Sequence, residues 1–279
     1  MGPLGLLCAA RWTWALVEFA AQFVHHAALG LFHAHHPRRT FTHLCHEPTS
    51  RKCVQQCFFL NVVLFRGALY VYEYLLPQLC FALLGVSLAG DWRYELAIVV
   101  LWAAPAYVIC EIISTSLQFK MAQKMLLGAA SASADGADAM VSVTEVVYTR
   151  LIYYIAFVVQ IRLFSGAPLL GPLLTFALSA LLFAYDAFDI LWAHQGYSVA
   201  ERFALFEQRW LYFLGYGGVL ATLSSQLRFW DLFAIRTAIY PIYMANAPYA
   251  HFATLKCHPL PVFQLPLRAL NAVIRLTSG

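Results

Sequence analysis

Six ionisable side chains lie inside strongly apolar stretches of the sequence, where each charge needs a partner. They are Arg66, Glu73, Glu111, Asp186, Asp189 and Arg236. An ion in hydrocarbon is tolerated beside an opposite charge, beside water or near the membrane interface. Arg66 and Glu73 are seven residues apart, which is two helical turns, so they share a helix face. Two interpretations stay open: the charges line a path for ions, or they pair with one another and with headgroups to assemble the helices.

A histidine-rich segment near the N-terminus is the second group of residues whose side chains could take part in chemistry. Seven of the ten His residues lie between positions 25 and 46, and Cys53 and Cys57 follow. His and Cys are zinc ligands, but their spacing here matches no two-by-two ligand pattern. The two cysteines also suit palmitoylation, since they precede an apolar stretch. The sequence leaves zinc binding, lipidation and a plain basic segment open, and we assign no metal ligand.

No residue pattern typical of catalysis occurs in the sequence. It has no phosphate-binding glycine-rich loop, no H-E-x-x-H and no G-x-S-x-G, the motifs of several large enzyme classes. Its basic residues are dispersed over four segments, so nucleic-acid binding has no support. We expect a protein that is not an enzyme, uses no cofactor and binds no nucleic acid.

The composition predicts that these residues lie on membrane helices. Of 279 residues, 61% are hydrophobic and 11% are charged, against about 25% charged residues in soluble domains. With about 20 residues per transmembrane helix, we predict an all-α polytopic membrane helical bundle of about six hydrophobic helical segments, some of them re-entrant or half-penetrating. The segments are residues 58–88, 96–117, 143–164, 169–192, 210–227 and 232–247.

The distribution of Lys and Arg predicts the orientation, because these residues accumulate in cytosolic loops. With six crossings, eleven Lys and Arg residues fall on the same side of the membrane as residues 33–57. Three fall on the other side: Arg93, Arg162 and Arg228. We therefore predict that both termini are cytosolic. The predicted organisation is an apolar interfacial helix and His-rich cytosolic segment over 1–52, a membrane helical domain over 53–255 and a short basic cytosolic tail over 256–279.

The segment WLYFLGYGG, residues 210–218, combines aromatic residues with three glycines. Trp210 and Tyr212 suit a membrane interface. Gly215, Gly217 and Gly218 would let another helix backbone approach closely, as small residues do in membrane-helix packing. We interpret the segment as a packing seam; the alternative is the tip of a re-entrant segment that lines an anion path.

Three stretches of the second half carry a family pattern: LLFAYDAFD at 181–189, ERFALFEQRWLYFLGYG at 201–217 and YPIYMANA at 240–247. In the central stretch, the residues that match the family pattern are Arg209, Trp210, Tyr212, Phe213, Gly215, Tyr216 and Gly217. In the last stretch they are Pro241, Ala245 and Asn246. On these residues the chain resembles the etoposide-induced protein 2.4 family. The likeness covers roughly residues 51–250.

The resemblance implies a non-enzymatic, multi-pass protein of the endoplasmic reticulum membrane. It implies a connection with autophagy and, in animals, with growth suppression and cell death. The same broad superfamily includes CysZ-type sulfate permeases with half-penetrating hairpins, so a channel or transporter for a small, sulfate-like anion is the alternative. The lipid bilayer is the expected partner, and membrane-protein partners or a homo-oligomer stay open.

Overall fold

The computed structural model of the chain describes residues 3–36, 42, 47–87, 90–130, 157–168, 170–250 and 259–263. All regular secondary structure in these ranges is helical, which confirms the predicted all-α fold. We number the helices in chain order. They are α1 Pro3–Ala34, α2 Pro48–Leu84, α3 with the consecutive segments Trp92–Ala97, Ile98–Ala103 and Ala104–Ala130, α4 at 157–165, α5 Gly171–His194, α6 Val199–Gln208, α7 Trp210–Gln226 and α8 Phe229–Asn246.

Three described helices are long and apolar enough to cross a membrane: α2, α3 over Trp92–Met125, and α5. Helices α7 and α8 have 17 and 18 residues. At about 1.5 Å per residue they reach only about 26 and 27 Å, less than a hydrocarbon core of about 30 Å. The predicted segments are helical over most of their described length, the exceptions being residues 85–87, 170 and 227. Only three of the described helices qualify as spans. Residues 143–156 lie outside the described residues.

Helix α2 begins ten residues before the first predicted segment, at Pro48 instead of residue 58. The Glu47 carboxylate accepts a hydrogen bond from the Thr49 backbone N–H at 3.4 Å, and Pro48 occupies the first helical turn, where a missing N–H costs nothing. This first part is polar, so hydropathy alone does not reveal it. The helix ends at Leu84 because Gly85 adopts the left-handed conformation, with φ of 66°.

The helices belong to two compact units. Unit 1 contains α1, α4, α5, α6 and α7 as far as Ser225. Its core is aromatic: Phe188 of α5 lies 5.1 Å from the ring of Phe213, and Phe213 stacks on Phe206 of α6 at 4.3 Å between ring centroids. Aromatic rings in such contacts contribute beyond their buried area, so unit 1 has a densely packed interior.

Unit 2 contains α2, α3 and α8 as far as Ala245. Its core joins Phe65 and Leu69 of α2, Cys110 of α3 and Phe233 of α8. A buried polar contact accompanies this core, because the Asn61 side-chain amide donates to the Ser114 hydroxyl at 2.9 Å. Many large apolar side chains of α2 and α3 are exposed, as expected for helices that contact lipid.

Candidate functional site

Helices α7 and α1 contact each other backbone to backbone through glycines. A Cβ added at Gly215 would lie 2.6 Å from the carbonyl carbon of Ala27 and even closer to its oxygen. On the other helix, a Cβ added at Gly30 would lie 3.0 Å from the carbonyl carbon of Tyr212 and would overlap its oxygen. Neither position has room for a side chain, so each helix supplies a small residue at the point of closest approach.

The opposite side of α7 makes a similar contact with α5. Gly217 is two residues after Gly215, about 200° further round the helix. A Cβ added at Gly217 would lie 2.8 Å from the carbonyl carbon of Ala180. Gly218, in contrast, has nothing within 4 Å of an added Cβ. Helix α7 is thus held between α1 and α5 by Gly215 and Gly217, whereas Gly218 is not needed for this contact.

Two polar residues of the family pattern hold the C-terminal end of α1. The Tyr212 hydroxyl lies 3.0 Å from Nδ1 of His33. The buried Asn246 amide donates to the carbonyl oxygen of Ala34 at 3.0 Å. Ala34 is the last residue of α1, where backbone carbonyls have no partner within the helix. These hydrogen bonds satisfy polar groups beside the glycine contact.

The remaining residues of the pattern occupy the junction of α6 with α7 and the middle of α8. Arg209 follows the last residue of α6, and its backbone N–H donates to the Phe206 carbonyl at 3.0 Å. Trp210 is half-buried at the start of α7. Pro241 is buried inside α8. The pattern residues in unit 1 therefore shape one packed region around α7.

Helix α6 begins at a capping box that orients its charged side chains. The Ser198 side chain and Glu201 exchange hydrogen bonds across the first turn, and these bonds lower the pKa of the Glu201 carboxyl. At the other end, burial raises the pKa of Glu207, although its carboxylate accepts the Phe263 N–H at 2.9 Å. The capped first turn also positions Arg202, whose backbone N–H donates to the Ser198 carbonyl at 3.0 Å.

Arg202 forms a fully buried ion pair with Asp189 of α5. Its guanidinium lies 2.5 Å from Asp189 Oδ1, and the two side chains are 6% and 0% exposed. The Tyr185 hydroxyl donates to the same carboxylate at 2.9 Å. Asp186 is also buried in α5. The sequence indicated that Asp189 needs a partner, but it did not identify Arg202.

In unit 2, Arg66 bridges two carboxylates. It contacts Glu73 of its own helix at 3.2 Å and pairs with Asp231 of α8. The three side chains are half-buried, at 22%, 30% and 27% exposure. The shared helix face predicted for Arg66 and Glu73 is therefore a direct contact, and Asp231 is a third member that the sequence did not reveal.

Arg236 of α8 pairs with Glu111 of α3 at 3.3 Å. Its guanidinium carbon also lies 5.4 Å from the centroid of the Tyr240 ring, a distance typical of a cation–π contact. Between Asp231 and Arg236 on α8, Phe233 packs against Phe65 at 5.1 Å between ring centroids. The two ion pairs of α8 thus flank an aromatic contact and connect this helix to α2 and α3.

Cys53 and Cys57 face the interior of unit 2. Both are buried, and they pack against Met121 and Ala245. An acyl chain on either sulfur has no room in this packing. Among the described residues, no group of three or more His, Cys, Asp or Glu side chains is placed to hold a metal ion; His43 and His46 lie outside those residues.

The sequence does not identify α1 as the helix that contacts α7. It does contain a pattern of close helix packing in membranes, since Gly30 and Ala34 form a small-x-x-x-small pair. Asp231 gave no such signal, since 165 residues separate it from Arg66 and no helical periodicity connects them.

Comparisons with known proteins agree with the resemblance. The sequence model of the family described as Sulfate transporter CysZ/Etoposide-induced protein 2.4 matches residues 36–226, more than half of the chain. The match ends before Pro241 and Asn246, so the likeness at those residues lies outside it. No solved structure matches the chain.

Curated relatives include two proteins named Protein EI24 homolog. The one from Dictyostelium discoideum is 21% identical over 235 residues, covering 81% of this chain and 76% of the relative. The one from Arabidopsis thaliana is 23% identical over 232 residues, covering 69% of this chain and 72% of the relative. Uncharacterized protein L211 of Acanthamoeba polyphaga mimivirus is 25% identical over 147 residues, 50% of this chain and 55% of the relative. With most of its described helices inside the family match, this chain is a membrane protein of the Sulfate transporter CysZ/Etoposide-induced protein 2.4 family.

Proposed function

We propose that this chain is a non-enzymatic, multi-pass protein of the endoplasmic reticulum membrane that acts in autophagy-related membrane processes as a packed helical scaffold. Its membership of the family and its relatives named Protein EI24 homolog support this role. Both termini are proposed to face the cytosol, from the distribution of Lys and Arg.

The observation that carries the proposal is the contact of α7 with a neighbouring backbone on two sides. Gly215 against Ala27 and Gly217 against Ala180 leave no room even for a methyl group. No water-filled path can therefore run between α7 and α1 at Gly215, or between α7 and α5 at Gly217. The geometry therefore favours a role that depends on a fixed arrangement of helices.

Anion transport is the second candidate, because the family description includes a sulfate transporter. A path for an anion needs cationic side chains that can face the ion. In unit 2, Arg66 is paired with Glu73 and Asp231, and Arg236 with Glu111. Each carboxylate lowers the attraction of its arginine for an anion, which favours the scaffold over the transporter.

The test replaces Gly215 and Gly217 together with Leu in cells that lack the native protein. Each Leu would push α7 away from a backbone that cannot move aside, and lipid offers no compensating contact. We expect the variant to insert in the membrane but not to support turnover of autophagic cargo. Gly218→Leu is the matched control, because the same side chain enters open space there, and it should support normal turnover.

Two results would contradict the proposal. Normal cargo turnover by the well-expressed double variant would show that close packing of α7 is not required for function. Normal turnover in cells without the protein would remove the autophagy assignment, and sulfate flux through the purified protein in liposomes would then establish the transporter in its place.

A further inference from the structure

A cavity of about 390 Å³ lies between α2, α3 and the start of α8, all within unit 2. Sites for small ligands commonly have volumes of about 300–1,000 Å³. The wall combines two carboxylates, three aromatic rings and one guanidinium, which belong to Glu73, Glu95, Tyr74, Tyr94, Trp230 and Arg228. Both signs of charge and aromatic surface therefore line the same cavity.

The cavity lies beside the first turns of α3 and α8. Tyr94 and Glu95 are in the first turn of α3, and Arg228 directly precedes α8. The ends of apolar membrane helices lie at the level of the lipid headgroups, where Tyr and Trp are enriched. Trp92, at the first position of α3, is 66% exposed, as such a belt residue would be. The cavity is thus placed to meet the headgroup region of a bilayer.

Hydrogen bonds hold the wall in place without a ligand. The Tyr94 hydroxyl donates to the backbone carbonyl of Tyr72 at 2.6 Å, which joins α3 to α2. The Asp91 carboxylate accepts the Arg93 backbone N–H at 2.9 Å and caps α3. Glu73 is oriented by its contact with Arg66. A ligand would therefore lose little free energy to ordering the wall.

Two charges of the wall are available to a ligand. Arg228 and Glu95 are exposed, and neither forms an ion pair with another described residue. A guanidinium binds phosphate through paired hydrogen bonds. Aromatic faces attract alkylammonium groups, and carboxylates add to that attraction. A bare dianion would instead meet two carboxylates and one guanidinium, which disfavours it.

We infer that this cavity binds the zwitterionic headgroup of a phospholipid. Arg228 contacts the phosphate, while Glu73, Glu95 and the surrounding rings contact the ammonium group. The acyl chains lie along the exposed apolar side chains of α2 and α3. This inference does not depend on the proposed role in autophagy, since it follows from the lining of the cavity and from its place at the ends of α3 and α8.

The test measures binding of dihexanoylphosphatidylcholine to the purified full-length chain in a maltoside detergent. Dihexanoylphosphatidylglycerol, which has the phosphate without the ammonium, and sodium sulfate are the comparison ligands. We expect saturable binding of the phosphatidylcholine that is at least about fivefold tighter than that of the phosphatidylglycerol. Sulfate at the same concentration should not displace it.

Two variants test which charged side chain contacts the ammonium group and which contacts the phosphate. Glu95→Gln should weaken phosphatidylcholine binding about fivefold and leave phosphatidylglycerol binding nearly unchanged, since only the ammonium loses a partner. Arg228→Gln should weaken binding of both lipids about tenfold, because the phosphate is common to them. Arg93→Gln is the matched control: Arg93 is exposed near the same helix end, but it does not line the cavity.

The thermal midpoint of each variant without lipid checks that it is folded. Equal or tighter binding of phosphatidylglycerol or sulfate would overturn the inference in favour of a simple anion site. Phosphatidylcholine binding that neither Glu95→Gln nor Arg228→Gln changes would overturn it as well, because the lipid would then bind elsewhere. Loss of binding in Arg93→Gln equal to that in Arg228→Gln would show a general charge effect and would also overturn it.

Discussion

Helix α5 in unit 1 and helices α2 and α3 in unit 2 have similar apolar sequences but different surroundings. All three are apolar enough to cross a membrane, yet 67% of the most apolar part of α5 is buried within the protein, against 22% and 11% for α2 and α3. Protein surrounds α5, whereas α2 and α3 present apolar side chains outward for lipid. Hydropathy identifies an apolar helix, but it does not tell whether the neighbour is protein or lipid.

The two units also differ in how their helices are joined. Unit 1 uses backbone contacts at glycines and an ion pair that water does not reach. Unit 2 uses half-exposed ion pairs at Arg66 and leaves space around several residues. Tight contacts cannot relax around an added atom or a lost charge. We therefore expect unit 1 to tolerate substitution less well than unit 2.

The largest expected effect is the loss of stability when the buried ion pair of unit 1 is broken, compared with the loss at the partly exposed pair of unit 2. Arg202→Leu leaves the Asp189 carboxylate buried without its cation, and breaking a buried pair in this way costs about 3–5 kcal/mol. Glu73→Leu should cost about 1 kcal/mol or less, because Arg66 keeps Asp231 and is partly exposed. Thermal unfolding of the purified variants in detergent, followed by loss of the monodisperse peak, measures both.

The Arg202 result has an internal control. Asp189→Leu combined with Arg202→Leu removes both charges and should recover much of the lost stability, since no ion is left unpaired. Equal losses for Arg202→Leu and Glu73→Leu would contradict the distinction between a dry pair in unit 1 and a wetter pair in unit 2.

The sequence predicted the helical class and the need for charge partners, but it did not predict most of the partners. Arg66 and Glu73 share a helix face, so their contact follows from local periodicity. Asp231 and Arg202 come from other helices, and only the tertiary arrangement brings them to Arg66 and Asp189. The glycines of α7 were recognisable as small residues, yet the sequence does not tell that α1 contacts one side of the helix and α5 the other. Gly218 adjoins Gly217 but has open space beside it, so residue type alone does not tell which glycine packs against another helix.

An intermediate effect is expected for the smallest side chain that can be added to the glycine contact. Gly30→Ala places a methyl group into the backbone of Tyr212, and such overpacking costs about 1–3 kcal/mol. The same change at Gly218 adds a methyl group in open space and should be neutral or slightly stabilising. Thermal midpoints of the two variants, measured side by side, test this; a Gly30→Ala variant as stable as Gly218→Ala would show that α1 and α7 are not in contact.

The smallest effect, and one of opposite sign, is expected in unit 2. Gly67 lies within α2 with helical backbone angles, φ of −60° and ψ of −44°, and an added Cβ has no atom within 4 Å. Alanine therefore fits without strain, and it loses less backbone entropy on folding than glycine, a gain of about 0.5–1 kcal/mol. Gly67→Ala should raise the thermal midpoint while Gly30→Ala lowers it, although the chemical change is identical. A destabilised Gly67→Ala variant would mean that another helix or a second copy of the chain packs against this position of α2, and that unit 2, like unit 1, is joined by close backbone contact.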